Sequence, residues 1–206
     1  MEGARAPPRP LASGELRIED LPLFPLLAVL FPGGRLPLRI FESRYMDMAK
    51  ACLKDGSPFG VCLILEGGEV GTPATPAAVG TTARISSWDM PQLGLLHVSA
   101  RGEQRFRIRS RRVQSDGLAR AAVDLIPPEK DDEIPAAHRG AVRLLERLIE
   151  RHPELLERPH RLDSCAWVSA RLAELLPLPL TTKQALLELD DGRVRLEKVH
   201  ALVRPD

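Results

Sequence analysis

The stretch LPLFPLLAVLFPGGRLPLRIFESRY, residues 21–45, restricts the fold more than any other part of the chain. It contains four prolines, Pro22, Pro25, Pro32 and Pro37. Proline removes a backbone hydrogen-bond donor and clashes with the preceding helical turn, so a helix through residues 21–40 is excluded. The apolar residues between the prolines predict short strands separated by bends, with Gly33 and Gly34 forming a turn.

A helix is predicted next, over residues 43–54. Its apolar side chains have the spacing of one helical face: Tyr45, Met48, Ala49 and Cys52. Asp55 and Gly56 then end the helix. Glu42 lies immediately before it. We expect this carboxylate to favour the positive end of the helix rather than to act in catalysis.

Strands dominate the following residues as far as position 128. Residues 59–65 (FGVCLIL) form a continuous apolar run between turn residues, which is typical of a strand buried on both faces. Residues 66–77 are rich in Gly and Pro and predict a loop. Further strands are predicted over residues 79–87, 95–101, 104–113 and 118–126. Because short turns connect them, the pattern indicates an antiparallel meander or barrel.

The pattern changes at residues 127–135, a charged and proline-bounded stretch that suggests a linker. Helical spacing predicts four short helices beyond it, and isolated helices of this length are marginal in water, so they must pack together or on the barrel. Asp163 or Ser164 is the expected N-cap of the second helix, and Thr181 with Gln184 has capping-box spacing for the third. The expected organisation is a flexible tail (1–15), a β-rich barrel (16–128), a linker (129–136) and a helical bundle (137–206).

Four motifs occur in an order that is similar to one known family. They are residues 21–45, VGTTARI at 79–85, GEQRFRI at 102–108, and LAELLPLPLTTKQALLELDDGRVRLEKV at 172–199. In this order they resemble the Lon N-terminal domain, also called the Lon substrate-binding domain. The resemblance implies an α+β fold: a PUA-like β pseudobarrel of six or seven short strands with one inserted helix, followed by a C-terminal four-helix bundle.

The resemblance also implies a function. Full-length Lon proteases add an AAA+ ATPase and a Ser-Lys peptidase to this domain. The chain has no GxxxxGK(S/T) phosphate loop, and its 206 residues leave no room for a peptidase, so we expect neither enzymatic activity nor a cofactor. We expect a non-catalytic module that binds unfolded polypeptides or docks onto a partner protein. The oligomeric state stays open.

The composition argues against several other classes of protein. A formal net charge of +1 gives no global attraction to nucleic acid or to a membrane. The most apolar stretch, residues 21–32, is shorter than the roughly 20 apolar residues that cross a bilayer, and no secretory signal begins the chain. Cys52, Cys62 and Cys165 are odd in number and far apart, which argues against disulfides and zinc. A soluble protein of the reducing cytoplasm is expected.

The first candidate binding surface is the apolar stretch SSWDMPQLGLL at residues 86–96, predicted to connect two strands. Its apolar side chains are those of Trp88, Met90, Leu93 and Leu95. Exposed Trp and Met would form an adaptable contact surface for unfolded chains. The segment could equally fold back as a lid on the end of the barrel, and both alternatives stay open.

The second candidate surface is a run of arginines in one predicted strand: Arg105, Arg107, Arg109 and Arg111. Their alternation places four guanidinium groups on one face, and PUA-like folds include RNA binders, so an RNA-phosphate site is the alternative function. No aromatic residue alternates on that face to stack bases, and Glu103 and Asp116 neutralise part of the charge. His97, on a predicted strand, is a weaker candidate for catalysis because no metal-ligand or nucleophile pattern accompanies it.

Overall fold

A computed structural model of the protein describes residues 17–203, so the expected tail at residues 1–15 lies outside the described residues. The described range contains seven strands: β1 (Arg17–Leu26), β2 (Arg35–Ile40), β3 (Phe59–Glu66), β4 (Thr75–Pro76), β5 (Val79–Gln92), β6 (Leu95–Val113) and β7 (Ala119–Leu125). It also contains five α-helices: α1 (Ser43–Asp55), α2 (Arg139–Arg151), α3 (Cys165–Leu175), α4 (Leu180–Leu187) and α5 (Gly192–Val203). The predicted α+β class, strands first and helices after, is confirmed.

Five strands close into a barrel in the order β1, β7, β6, β5, β3 and back to β1. The closing pair β1–β3 is parallel, and the other pairs of the ring are antiparallel. A side chain at Gly60 would lie 2.8 Å from Phe106 Cζ and from Leu21 Cδ2, so the interior of the barrel leaves no room for a β-carbon there. Closure of the five-stranded ring confirms the predicted barrel. Strands β2 and β4 lie outside the ring, where β2 pairs with β6 and β4 pairs with β3.

Helix α1 has the face that its sequence predicts. Tyr45, Met48, Ala49 and Cys52 are all buried in a cluster shared with β2, β3 and β6. The helix ends at Gly56, whose φ of 62° is left-handed, a conformation that favours glycine. Glu42 precedes the helix but makes no side-chain cap, and its carboxylate instead pairs with Arg44 at 2.9 Å.

Strand β6 differs from the prediction of two separate strands, because it continues without a break through Gly102. The reason is the turn at Gly33 and Gly34, which docks against this point. Gly33 N donates to Gly102 O at 2.7 Å, and Gly102 N donates to Gly34 O at 2.9 Å. A β-carbon at Gly102 would collide with the carbonyl oxygen of Phe31, so glycine marks a close approach of two backbones rather than the end of a strand.

The four helices after the barrel pack around α3, which contacts α2, α4 and α5. Ser164 is the N-cap of α3, since its Oγ accepts a hydrogen bond from Trp167 N at 3.0 Å. Phe31, from the turn before β2, is fully buried among the helices and joins them to the barrel. Arg171 in α3 reinforces this contact by donating to Pro32 O at 2.8 Å.

The expected capping box of α4 is wrong. The helix begins after Pro179 and has no side-chain cap, so Thr181 lies inside it. Gln184 is directed instead at the barrel, where its Nε2 donates to Val79 O at 3.0 Å. The hydrogen bond to Val79 is favoured over a cap because a buried carbonyl without a donor is costly, and a Gln184 side chain that capped the helix could not supply that donor.

The connection between barrel and helices carries no helix or strand from residue 126 to 135 apart from an isolated bridge between Glu133 and Ser164. This connection nevertheless contacts both the helices and the barrel. The buried carboxylate of Glu129 accepts a hydrogen bond from Arg195 of α5 at 2.7 Å and lies 3.5 Å from Arg105 of β6. None of the helices between residues 17 and 203 has the length and apolar character needed to cross a membrane.

Candidate functional site

A three-stranded ribbon extends from the barrel. Strand β3 pairs with β5 only as far as Ala83, whereas β5 stays paired with β6 up to Gln92, which lies opposite Leu95. On its other side β6 pairs with β2 along that strand's whole length. Residues 86–96 are thus part of a hairpin, and the prediction of a connecting loop is wrong except for the tight turn at Leu93 and Gly94.

Three of the four predicted apolar side chains are exposed on this hairpin. The exposed fraction is 58% for Trp88, 40% for Met90 and 97% for Leu93, while Leu95 is half-buried. Their exposure argues against the alternative of a lid that folds back to bury them. We call Trp88, Met90 and Leu93 the hairpin surface.

The register explains why Trp88 lies at the edge of the core without entering it. Trp88 is opposite Val98, and Val98 is opposite Leu38, so all three side chains share one face of the ribbon. Val98 and Leu38 are buried in the cluster that includes Met48 and Ala49 of α1, but Trp88 is not. Trp88 therefore continues the apolar face of the core beyond the helix that covers it.

Arg105 does not belong to an exposed arginine face. Its side chain is only 3% exposed, and its Nη1 donates to Leu187 O at 2.9 Å and to Leu189 O at 2.6 Å. It also forms ion pairs with Glu129 and, at 3.2 Å, with Asp190. Burial lowers the pKa of Arg105, and the neighbouring carboxylates oppose that shift. The prediction that it contacts phosphate is wrong because the end of α4 covers this part of the strand.

The other three arginines do not share one face either. The pairing of β6 with β7 shifts between Ile108 and Ser110, and after this bulge Arg111 lies opposite the buried Ala121 and donates to Ala74 O at 2.9 Å. Arg107 is exposed, with no carboxylate of residues 17–203 within ion-pair distance. Arg109 lies 3.5 Å from Asp124. The bulge and the carboxylate leave no row of four free guanidinium groups.

The cysteines and His97 do not assemble a reactive centre within the described range. Burial raises the pKa of all three thiols, that of Cys62 to about 12, so the nucleophilic thiolate is disfavoured. His97 lies opposite Arg39 on one side and Asp89 on the other, in the middle of the ribbon. Residues 17–203 contain no cluster of three His, Cys, Asp or Glu side chains able to hold a metal ion.

A groove beside β2 was not predicted from the sequence. Its volume is about 300 Å³, and six consecutive residues, 36–41, form one wall. The rest of the lining comes from β1 and the residues after it, the start of α1 and the loop after β3: Phe24, Leu26, Ala28, Glu42, Tyr45, Glu69 and Val70. Pro37 is the signal that could have indicated it, because proline inside a strand points to a sheet edge.

The described residues thus form an α+β domain in which packed helices follow a closed barrel, and from which an apolar hairpin projects. The chain matches the family described as the ATP-dependent protease La (LON) substrate-binding domain over residues 20–204, and it belongs to this family. The resemblance found in the sequence motifs is confirmed.

Solved structures agree with this assignment. The Lon N-terminal domain protein from Xanthomonas campestris is 42% identical, with a TM-score of 0.77, and the match covers 91% of this chain and 100% of that one. The N-terminal domain of the Mycobacterium avium complex Lon protease is 21% identical with a TM-score of 0.65, covering 88% of this chain and 96% of that one, and shows the fold alone.

Among curated proteins, Lon protease 2 of Myxococcus xanthus is 29% identical over 98% of this chain and 25% of its own length. Protein cereblon of Danio rerio is 31% identical over 53% of this chain and 26% of its own length. The chain therefore spans about a quarter of the length of these relatives.

Proposed function

We propose that this protein is a non-catalytic recognition module that binds exposed apolar segments of other polypeptides, in the cytoplasm, through the hairpin surface. The observation that carries the proposal is the exposure of Trp88, Met90 and Leu93 together on a projecting hairpin. Membership of a family described as substrate-binding supports it, as does the similarity to Lon proteases over nearly the whole chain.

The chemistry of the hairpin surface suits ligands of varied sequence. Trp88 offers a large apolar area, and Met90 has a flexible, polarisable side chain that adapts to different partners. Burying side chains of this kind contributes about 1.5–3 kcal/mol each before the cost of association is subtracted. Binding of this strength is weak and reversible, which suits a module that samples unfolded chains.

The alternative function, RNA binding through the arginines of β6, has less support. It depended on four guanidinium groups on one face, and Arg105 is buried while Arg111 is turned away. Electrostatic binding to phosphates requires accessible charges whose counterions are released. Arg109 and Arg112 of β6 are exposed, but each already pairs with a carboxylate, that of Asp124 and that of Asp20.

The test is binding of fluorescein-labelled, reduced and carboxymethylated α-lactalbumin, followed by fluorescence anisotropy after nuclease treatment of the protein. Trp88→Ser should weaken binding at least tenfold. The matched control is Leu202→Ser, which removes an apolar side chain of similar exposure, 51%, from α5. Native α-lactalbumin should not bind.

Two outcomes would contradict the proposal. If neither the unfolded protein nor a broad panel of unfolded peptides binds the parent, polypeptide recognition is wrong. If binding occurs but Trp88→Ser and Leu202→Ser lower it equally, the hairpin surface is wrong.

A further inference from the structure

We infer that β2 takes up an extended segment of the bound polypeptide as an additional β-strand along the groove, and that the preferred segment is apolar with a basic residue beside it. This inference rests on the proposed function and specifies a second contact, separate from the hairpin surface. The hairpin surface and β2 lie on opposite edges of the same ribbon, with β6 between them.

The first observation is that β2 is an edge strand. Within residues 17–203 its only partner is β6, from Arg35 opposite Arg101 to Ile40 opposite Leu96. In an antiparallel ladder, alternate residues direct their N–H and C=O groups away from the partner strand. The outer edge of β2 therefore carries backbone groups available to another strand, which is the arrangement that β-strand addition uses.

The second observation is that the groove follows this edge. Six consecutive residues, 36–41, line it, although successive side chains of a strand point to opposite faces. A groove that touches every residue in turn must run along the backbone edge rather than across one face. The opposite wall includes Leu26 and Tyr45, and the exposed side chains of Phe41 and Val70 lie at its margins, so an apolar segment would be covered on its flanks.

The third observation is the register of Pro37, which lies opposite Ser99. Proline has no N–H, so a proline directed at β6 would leave a hydrogen bond of the ladder unmade. Pro37 is therefore placed among the residues directed away from β6. Arg39, two residues further on, is then directed the same way. Its N–H and C=O are the groups that a bound strand would contact.

Two charged side chains of the groove lining, those of Arg39 and Glu69, form no ion pair with residues 17–203, and the acidic one can pair with a basic flanking residue. Glu69 accepts a hydrogen bond from Leu27 N at 2.7 Å, and no cation of residues 17–203 forms an ion pair with it. Glu42, also in the lining, already pairs with Arg44 at 2.9 Å. Glu69 is thus the carboxylate available to a Lys or Arg of the bound segment.

The experiment uses the fluorescein-labelled peptide Lys-Val-Leu-Val-Leu-Val-Lys and the same peptide N-methylated at its three valines and two leucines. Methylation removes the backbone donors and keeps every side chain. Arg39→Pro removes the N–H of that residue from β2, and Arg39→Ala is the matched control because it removes the side chain but keeps the N–H. Circular dichroism checks that each variant is folded.

We expect the unmethylated peptide to bind Arg39→Pro at least tenfold more weakly than Arg39→Ala, because both variants lack the arginine side chain and only Arg39→Pro also lacks the backbone N–H. The methylated peptide should bind at least tenfold more weakly to the parent. Glu69→Gln should weaken the unmethylated peptide severalfold and leave a version with Ser in place of both lysines unaffected.

Equal binding of the two peptides would overturn the inference, and so would equal binding to Arg39→Pro and Arg39→Ala. If Arg39→Pro does not fold, the methylated peptide decides alone. A dimer of the parent that Arg39→Pro dissociates in sedimentation, with no peptide bound, would assign the edge to a second copy and overturn the inference too. In each case unfolded α-lactalbumin still reports on the proposed function, because that signal depends on Trp88.

Discussion

Arg105→Met would remove a guanidinium group that is almost fully buried between the barrel and the helices. The group donates to two carbonyls at the end of α4, of Leu187 and Leu189, and pairs with Glu129 and Asp190. Methionine fills a similar length of space but supplies no donor. The substitution therefore tests whether Arg105 has the structural role that its contacts indicate.

The expected loss of stability follows from these contacts. A hydrogen bond to a charged group contributes about 1.5–3 kcal/mol, and breaking a buried ion pair by removing one partner costs about 3–5 kcal/mol. Because Arg195 still neutralises Glu129 in the variant, the ion-pair figure is an upper limit, and the loss comes mainly from the two carbonyls that no longer receive a hydrogen bond. We therefore expect a decrease of about 3–5 kcal/mol in the free energy of unfolding.

The assay is urea unfolding followed by circular dichroism, together with thermal unfolding. For a domain of this size each kcal/mol lowers the Tm by about 2–4 °C, so the Tm should fall by roughly 6–20 °C. The matched control is Arg107→Met, two residues along the same strand and exposed, which should change stability by less than about 0.5 kcal/mol. Equal stability of the two variants would refute the structural role of Arg105.

Two further predictions concern the turn at the barrel and the pH dependence of stability. Gly102→Ala should cost about 1–3 kcal/mol, seen as a lower urea midpoint, because a β-carbon would collide with Phe31 O. The matched control is Gly68→Ala, where φ is not left-handed and the nearest atom, Val70 O, is 3.9 Å from the added β-carbon. Partial burial raises the pKa of Asp20, but Arg120 and Arg112 lower it to below its ordinary 3.8. A carboxylate with a lowered pKa stabilises the fold at pH values above its ordinary 3.8 and loses that contribution as the pH falls through the lowered pKa. The Tm advantage of the parent over Asp20→Asn should therefore be present near pH 7 and disappear in acid, well below pH 3.8; an advantage that persists there would contradict this.

Much of the fold could be predicted because it depends on local patterns. The face of α1, the buried run in β3 and the change from strand to helix spacing were visible in the order of apolar residues, since burial imposes those periods on the sequence. The N-cap Ser164 was one of two residues proposed for that role, because capping needs only a short polar side chain at the start of a helix.

The candidate site was predicted less completely. Trp88, Met90 and Leu93 were identified as a possible contact surface, but their place on a paired hairpin was not, because strand pairing depends on residues distant in the sequence. The groove along β2 was missed altogether. Its walls come from separate parts of the chain, from β1 to the loop after β3, and only Pro37 carried a local signal of it.

The sequence by itself determined the α+β class, the family and the residues that form the core, because an apolar side chain that repeats at the period of its element has one stable place, against the interior. Only the tertiary structure decided the role of the charged and exposed residues. Arg105 and Arg107 have the same spacing and chemistry in the sequence, yet α4 covers one and leaves the other in solvent. The physical reason is that the free energy of a charge or an exposed apolar group depends on what the distant chain brings against it.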